Sequence, residues 1–431
     1  MKKLFLFFAL LPSVIFSQEK DSVYYSKMQW FADAKLGIFI HWGIYAVNGI
    51  SESWSFYNGY ISHEDYVKQK DGFTAEKYDP ALWAKLIKES GAKYSVITSR
   101  HHDGFALWNT KLGNFNAVKN SAAKKDVLTP FMKALRNEGL KVGIYYSLSD
   151  WSHPDYTNFT NKEKRYENDP ERWKKYLTYF QGQLNELSDS YNPDLFWFDG
   201  DWEHSADEWE AKKVRAMLIT KNQNVILNSR LQGYGDYATP EQGMPVVKPE
   251  SEFWELCLTM NDSWGYQGVD VNYKTPQQVI DIFADVISKG GNLLLDIGPK
   301  ADGTIPDEQV NILKELGSWT KKHSEAIFGT RAGIYKEHFA GPSTLSKDKK
   351  MLYLFVKGNP NEEIELLGIK NKINRVYVVG EGTMLNYKLM GKVYWSEYPG
   401  ITYISLPKNV QDKYMTVVAV LLDGEVDLYR K

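Results

Sequence analysis

Between residues 36 and 330 the chain alternates nearly unbroken apolar runs with stretches of amphipathic spacing, and this alternation constrains the fold most. The runs are "LGIFIHWG", "YSVITSRHHDG", "VGIYYSLSDW", "DLFWFDGD", "VILNSR", "FWELCL" and "NLLLDIGPK". A strand that is apolar at every position must be covered on both faces, as in a parallel sheet flanked by helices. The intervening helices carry start signals at Asp79-Pro80, Thr129-Pro130 and Thr275-Pro276. Each places a capping oxygen before a residue with no amide hydrogen to lose, and Thr275 with Gln278 also fits a capping box. Gly91, Gly139 and Gly290 supply the stops. Seven visible strands predict an α/β fold, a (β/α)8-like TIM barrel with one strand missed or degenerate. A doubly wound open sheet competes, but no glycine-rich phosphate loop follows the first strand.

After "HSEAIFGTRAG" the pattern changes. "MLYLFVKG", "EIELLGI", "INRVYVVG", "VYWSE", "ITYISLP" and "TVVAVLLDG" are short strand candidates with turn residues between them. They predict a C-terminal antiparallel β-sandwich. The expected organisation is a signal peptide at 1–17, a catalytic barrel domain at 18–335 and a sandwich at 336–431. No low-complexity linker separates the two domains, so they are expected to pack directly on each other. The leader reading rests on basic Lys2 and Lys3, an apolar stretch from Leu4 to Phe16, and small Ser17 before Gln18. That stretch is too short for a membrane span, so the chain is expected to be exported, either periplasmic or secreted. A net charge of -2 gives no bias toward nucleic acid or an acidic membrane. Cys257 is the only cysteine, which excludes an internal disulfide. Inside "FWELCL" it reads as a small buried hydrophobe.

In a parallel barrel the chemistry sits at the carboxyl ends of the strands. Reading only those ends collects His41-Trp42, His101-His102-Asp103, Tyr145, Tyr146, Asp150-Trp151, Asp199, Asn228, Arg230 and, from "FWE", Glu255. Each has a plainer reading. Asp199 could cap the next helix, but that helix is expected near Asp207, which has its own capping role. His41 alone fits a hydrogen-bonded core histidine, and Arg230 a surface ion pair. His101 and His102 are adjacent, so strand alternation sends them to opposite sides unless the chain bends at Gly104. Together the strand ends exceed what these separate explanations supply. Glycoside hydrolysis needs one ionised and one protonated carboxyl group, and Asp199 suits the ionised one. Glu241, Glu255 and Glu52 are all candidates for the acid/base, and spacing leaves the choice open.

The motifs "LGIFIHWG" (36–43), "SRHHDGFALW" (99–108), "VGIYYSLSDW" (142–151), "LFWFDG" (195–200) and "SKGGNLLLDIGPKADGTIP" (288–306) together resemble the family 29 glycoside hydrolases, the α-L-fucosidases. The likeness runs from about residue 25 to 330 and keeps five motifs in family order. It implies a retaining exo-hydrolase releasing terminal α-L-fucose from fucosylated oligosaccharides or glycoconjugates, with no cofactor and no metal. Carried over by position, Asp199 looks like the nucleophile and Glu241 like the acid/base. His41, His101, His102, Tyr145, Trp197 and Arg230 match positions around the sugar hydroxyls or the nucleophile, and Trp54 a sugar-contacting indole. The chain departs from the family at Glu52-Ser53-Trp54, where members often have Glu-Trp adjacent. Two rival readings remain at this level. One is a metal-dependent barrel hydrolase using His41, His101, His102 and Asp103, although adjacent histidines suit a metal site poorly. The other is a non-catalytic fucose-binding protein.

Overall fold

The computed structural model describes residues 13–358 and 362–430; the first twelve residues of the expected leader lie outside them. Seven parallel strands form one curled sheet: β1 Leu36–Ile40, β2 Tyr94–Arg100, β3 Lys141–Ser147, β4 Leu195–Asp199, β5 Ile226–Leu227, β6 Glu255–Thr259 and β7 Asn292–Ile297. Their order is β5-β4-β3-β2-β1-β7-β6. The gap between β5 and β6 is stitched by residues 237–241 through isolated parallel bridges, Asn228 with Tyr237, Ala238 with Trp254 and Glu241 with Cys257. This is the degenerate eighth element. Pro240 within it has no amide to donate, which breaks the ladder.

Strand β4 shows how the sequence sets the site. Leu195 and Trp197 point into the barrel, packed with Phe39, Tyr94, Tyr145, Cys257 and Leu294. Phe196 and Phe198 point the other way, into the layer beneath the helices. Burying each phenylalanine is worth roughly 1.5–3 kcal/mol. A one-residue slip would turn both into the barrel, so the register is fixed. Asp199 is then the next inward position, at the rim. Below, Met28, Phe31 and Ala34 of the helix Ser13–Ala34 join the interior cluster and close the base.

The predicted helix starts hold at two of three places. The Asp79 carboxylate accepts from the amides of Ala81 and Leu82. Thr275 and Gln278 form the reciprocal capping box. The third helix, Leu128–Asn137, opens before Thr129, and Asp126 caps it by accepting from the Thr129 amide at 2.8 Å. Asp207 does not cap the helix that follows β4. That helix is Ala211–Lys221, its N-cap is Glu210 in a left-handed conformation, and no side chain caps it.

The C-terminal part contains a five-stranded sheet, in the order β12-β15-β10-β9-β8, and a three-stranded sheet, β11-β14-β13. Its strands are β8 Arg331–Ala332, β9 Ser343–Leu345, β10 Met351–Val356, β11 Glu363–Leu367, β12 Ile373–Val378, β13 Tyr387–Met390, β14 Ile401–Ser405 and β15 Thr416–Leu422. "VYWSE" is not a strand: Tyr394 and Trp395 are exposed in a turn region, and Tyr387–Met390 pairs with β14 instead. Alternation along β10 joins the two parts. Leu352 and Leu354 enter the sandwich core, whereas Tyr353 and Phe355 pack into the barrel's outer core. Among the described residues no helix is long and apolar enough to cross a membrane.

Candidate active site

The rim of the barrel encloses a cavity of about 130 Å³ lined by Phe39, His41, Glu52, Trp54, His101, Tyr145, Trp197, Asp199, Trp202, Arg230, Glu241 and Trp264. Asp199 lies on its wall with the side chain 12% exposed. The Tyr145 hydroxyl donates to Asp199 Oδ2 at 3.0 Å and Arg230 Nη1 donates to Oδ1 at 3.0 Å. His102 Nε2 stands 3.6 Å from Oδ2. Burial by itself would raise the Asp199 pKa, but Arg230, His102 and the hydrogen bonds outweigh it and hold the carboxyl below its usual range. The strand thus delivers a carboxylate to a ring of donors that keeps it ionised.

Arg230 does a second job. Its Nη2 donates to Glu241 Oε2 at 2.6 Å, and the guanidinium lies 4.6 Å from the centre of the Trp197 ring. One planar cation therefore joins two carboxylates, the first buried and the second with its side chain 39% exposed. Glu241 sits at the end of the degenerate eighth element, with its backbone bridged to Cys257. Cys257 itself is buried inside the barrel.

The histidines are fixed by their neighbours. His41 Nδ1 contacts Asp296 Oδ1 at 2.7 Å, His101 Nδ1 contacts the Ser53 hydroxyl, and His102 Nδ1 contacts the Ser147 hydroxyl. Burial pushes His41 down to about 3 and lowers His101 and His102. Neutral imidazoles can both donate to and accept from sugar hydroxyls. His101 and His102 both reach the site, with ring centres 4.3 Å apart, because the strand ends at Arg100 and a turn follows in which the Gly104 amide donates to the His101 carbonyl. Gly104 takes φ +80°, and a Cβ there would meet the Asp150 carboxylate at 2.4 Å.

Several strand-end residues serve other purposes. Glu255 stands at the amino end of β6, deep in the barrel and outside the cavity lining. It accepts from the Tyr94 hydroxyl and from Trp197 Nε1 at 3.0 Å, and burial pushes it up to about 7. The reading that put it among the carboxyl-end groups is corrected, because the apolar run continues past it to Thr259 rather than ending there. Asp103, needed by the metal reading, accepts from the Tyr66 hydroxyl at 2.7 Å and from the Phe105 amide. It is absent from the cavity lining. Asp150 pairs with buried Arg100 at 3.0 Å, Asn228 clamps the Phe198 backbone, and Trp42 donates its indole N–H to the Lys300 carbonyl. Glu52 does line the cavity. Its carboxylate accepts from the Gly265 amide at 2.6 Å, and burial pushes it up to about 7. Sequence reasoning missed Trp202 and Trp264, which also line the cavity. A roomier cavity of about 680 Å³ lies beside Asp150, His153 and Phe115, but its one carboxylate is the one engaged by Arg100.

The family model described as Alpha-L-fucosidase matches residues 14–325. The chain belongs to the α-L-fucosidase family. An α-L-fucosidase of Dictyostelium discoideum is 30% identical over 99% of this chain and 100% of its own length. The human plasma α-L-fucosidase is 29% identical over 83% of this chain and 85% of its own. Among solved structures, α-L-fucosidase isoenzyme 1 from Paenibacillus thiaminolyticus superposes with a TM-score of 0.84 at 32% identity, covering 93% of this chain and 100% of its own. A family 29 α-L-fucosidase from Bacteroides thetaiotaomicron, caught as a covalent intermediate with 2-fluoro-fucosyl fluoride, gives 0.82 at 28% identity over 93% and 96%. Membership in this family makes the chain a retaining glycosidase.

Proposed function

We propose that this α-L-fucosidase works by double displacement, with Asp199 as nucleophile and Glu241 as acid/base. The observation that carries the reading is the Arg230 guanidinium, bonded to a buried ionised carboxylate on one side and to a solvent-reached one on the other. Retaining enzymes hold their two carboxyl groups about 5–5.5 Å apart, whereas inverting enzymes leave about 6.5–9.5 Å for a water between them, and a shared guanidinium favours the shorter spacing.

Asp199 attacks the anomeric carbon while Glu241 gives a proton to the departing glycosidic oxygen. The C–O bond to the aglycone breaks and an ester to Asp199 forms. Glu241, now ionised, takes a proton from water, which attacks the same carbon and releases fucose and free Asp199. Tyr145 and Arg230 keep Asp199 ionised before attack and stabilise it as a leaving group afterwards. His41, His101 and Glu52 face the same space and supply fixed partners for ring hydroxyls, while Phe39, Trp197 and Trp264 offer apolar seats for the C5 methyl. The small, enclosed cavity suits one terminal sugar and so exo-action. The basic-apolar-small pattern of residues 1–17 supports export to the periplasm or beyond.

The test is covalent trapping. After incubation with 2-fluoro-fucosyl fluoride, peptide mapping by mass spectrometry should find the sugar ester on Asp199. A label on any other carboxylate, Glu241 included, overturns the assignment.

A further inference from the structure

Trp202 is half exposed and lines the cavity together with Asp199 and Glu241, yet no step above uses it. It sits on the single 3-10 turn Asp201–Glu203 that follows β4, and that turn is fastened at both ends. The Asp201 carbonyl accepts from Gln232 Nε2 at 2.6 Å and from Trp209 Nε1 at 2.9 Å, and the Asp201 carboxylate accepts from the Gln232 amide at 2.7 Å. Glu203 accepts from the Tyr57 hydroxyl at 3.1 Å, from Trp151 Nε1 at 3.2 Å and from the Tyr156 hydroxyl. The indole plane lies 12° from that of Trp54, with ring centres 6.1 Å apart. A large apolar ring is therefore held rigidly against water beside the two carboxylates. Such a ring is a platform for the C–H face of a pyranose.

A second observation extends the path outward. Trp54 walls the catalytic cavity, and Tyr57, at the other end of the same helical turn, walls a separate polar groove of about 370 Å³ on the 158–167 segment. The segment is tied to that turn, since the Asn161 amide donates to the Tyr57 carbonyl at 3.0 Å and Asn161 Nδ2 to Asn58 Oδ1 at 3.2 Å. In the groove lining Lys162 and Lys164 are balanced by Glu163 and Glu167, and Lys164 pairs with Glu167 at 2.9 Å. Balanced charge among amide and hydroxyl groups suits a neutral polyhydroxyl ligand rather than a sulfated or phosphorylated one.

We propose that Trp202 and this groove form the acceptor side of the enzyme. The sugar bearing the fucose stacks on Trp202, and the next sugar places its hydroxyls in the groove, so the preferred substrate is an uncharged glycan of at least two further pyranose units. The inference rests on Asp199 and Glu241 acting as described above, and the test separates the two.

The full chain is assayed on α-L-fucosyl fluoride, whose leaving group is one atom, on fucose linked to one neutral pyranose, and on fucose linked to two; the longer glycoside is also offered with a sulfate ester on its acceptor sugars. Trp202→Ala should lower kcat/KM on both glycosides by about tenfold or more beyond any loss on the fluoride, and Trp202→Phe should restore most of that difference. Asn161→Ala should weaken only the longer glycoside. Equal loss on the fluoride would assign Trp202 to the fucose pocket and overturn the proposal, as would no loss on any substrate or a wild-type preference for a sulfated glycan. A folded wild-type chain inert toward all three substrates would overturn the catalytic reading itself.

Discussion

Tyr145→Phe isolates what holds Asp199 ionised. The substitution deletes one hydroxyl and keeps the ring, which stacks between His101 at 5.6 Å and Trp197 at 5.7 Å. Asp199 loses one of its two direct hydrogen bonds, the 3.0 Å contact to Oδ2, and retains Arg230 on Oδ1. A hydrogen bond to a charged group contributes about 1.5–3 kcal/mol. One pKa unit corresponds to about 1.36 kcal/mol, so the Asp199 pKa should rise by roughly one to two units. The direction follows from the donor: the hydroxyl stabilises only the ionised form, and removing it favours protonation. A protonated Asp199 cannot attack, so the acid limb of kcat/KM for an aryl α-L-fucoside should move to higher pH by that amount. The alkaline limb should stay where it is. The assay is a full pH profile of wild type and variant, with circular dichroism to confirm folding. An unmoved acid limb accompanied by a higher KM would refute the reasoning, because Tyr145 would then serve the sugar and not the carboxylate.

Asp199→Gly should abolish hydrolysis and recover part of it with added azide, giving a fucosyl azide of inverted configuration detectable by NMR. Glu241→Ala should slow substrates with poor leaving groups far more than fucosyl fluoride, and the slope of rate against leaving-group pKa measures this. Glu255→Ala should leave that slope unchanged but destabilise the fold, because the Tyr94 hydroxyl and Trp197 Nε1 each lose a buried acceptor at about 1–3 kcal/mol apiece, read by urea unfolding. Gly200→Ala should cost about 1–2 kcal/mol from backbone strain at φ +73°, and a larger share of kcat. The added Cβ meets Ser149 Oγ at 2.7 Å and Ser147 Oγ at 3.0 Å, at the residue that follows Asp199.

The barrel strands were legible because a strand covered on both faces gathers apolar residues at successive positions: β2, β4 and β7 are buried along their whole length, and Val96-Ile97, Leu195 to Phe198 and Leu293 to Leu295 run without a polar break. Asp199 stood out as the polar residue that ends such a run. The eighth element was not legible: Gly233, Gly235 and Pro240 break any run around residues 237–241, and only the strands on either side hold it in place. Glu255 misled because a carboxylate next to apolar residues looks the same at either end of a strand, and only pairing with Asn292 fixes it at the amino end. Trp202 and Trp264 carried no distinguishing signal among 14 tryptophans. "VYWSE" has strand-like composition, but it pairs with nothing among the described residues, and "YKLM" takes the edge of the sheet beside β14.

The stitched seam has a further consequence. Asp199, the proposed nucleophile, stands on a strand bonded along its length on one side, while Glu241, the proposed acid/base, hangs from a segment held by three isolated bridges. Amides at 237–241 should therefore exchange with deuterium well before those of β4. The two halves of the proposed catalytic pair then differ in mechanical stiffness, and on that assignment a change of loop on the looser side would retune proton delivery to new aglycones without disturbing the covalent step.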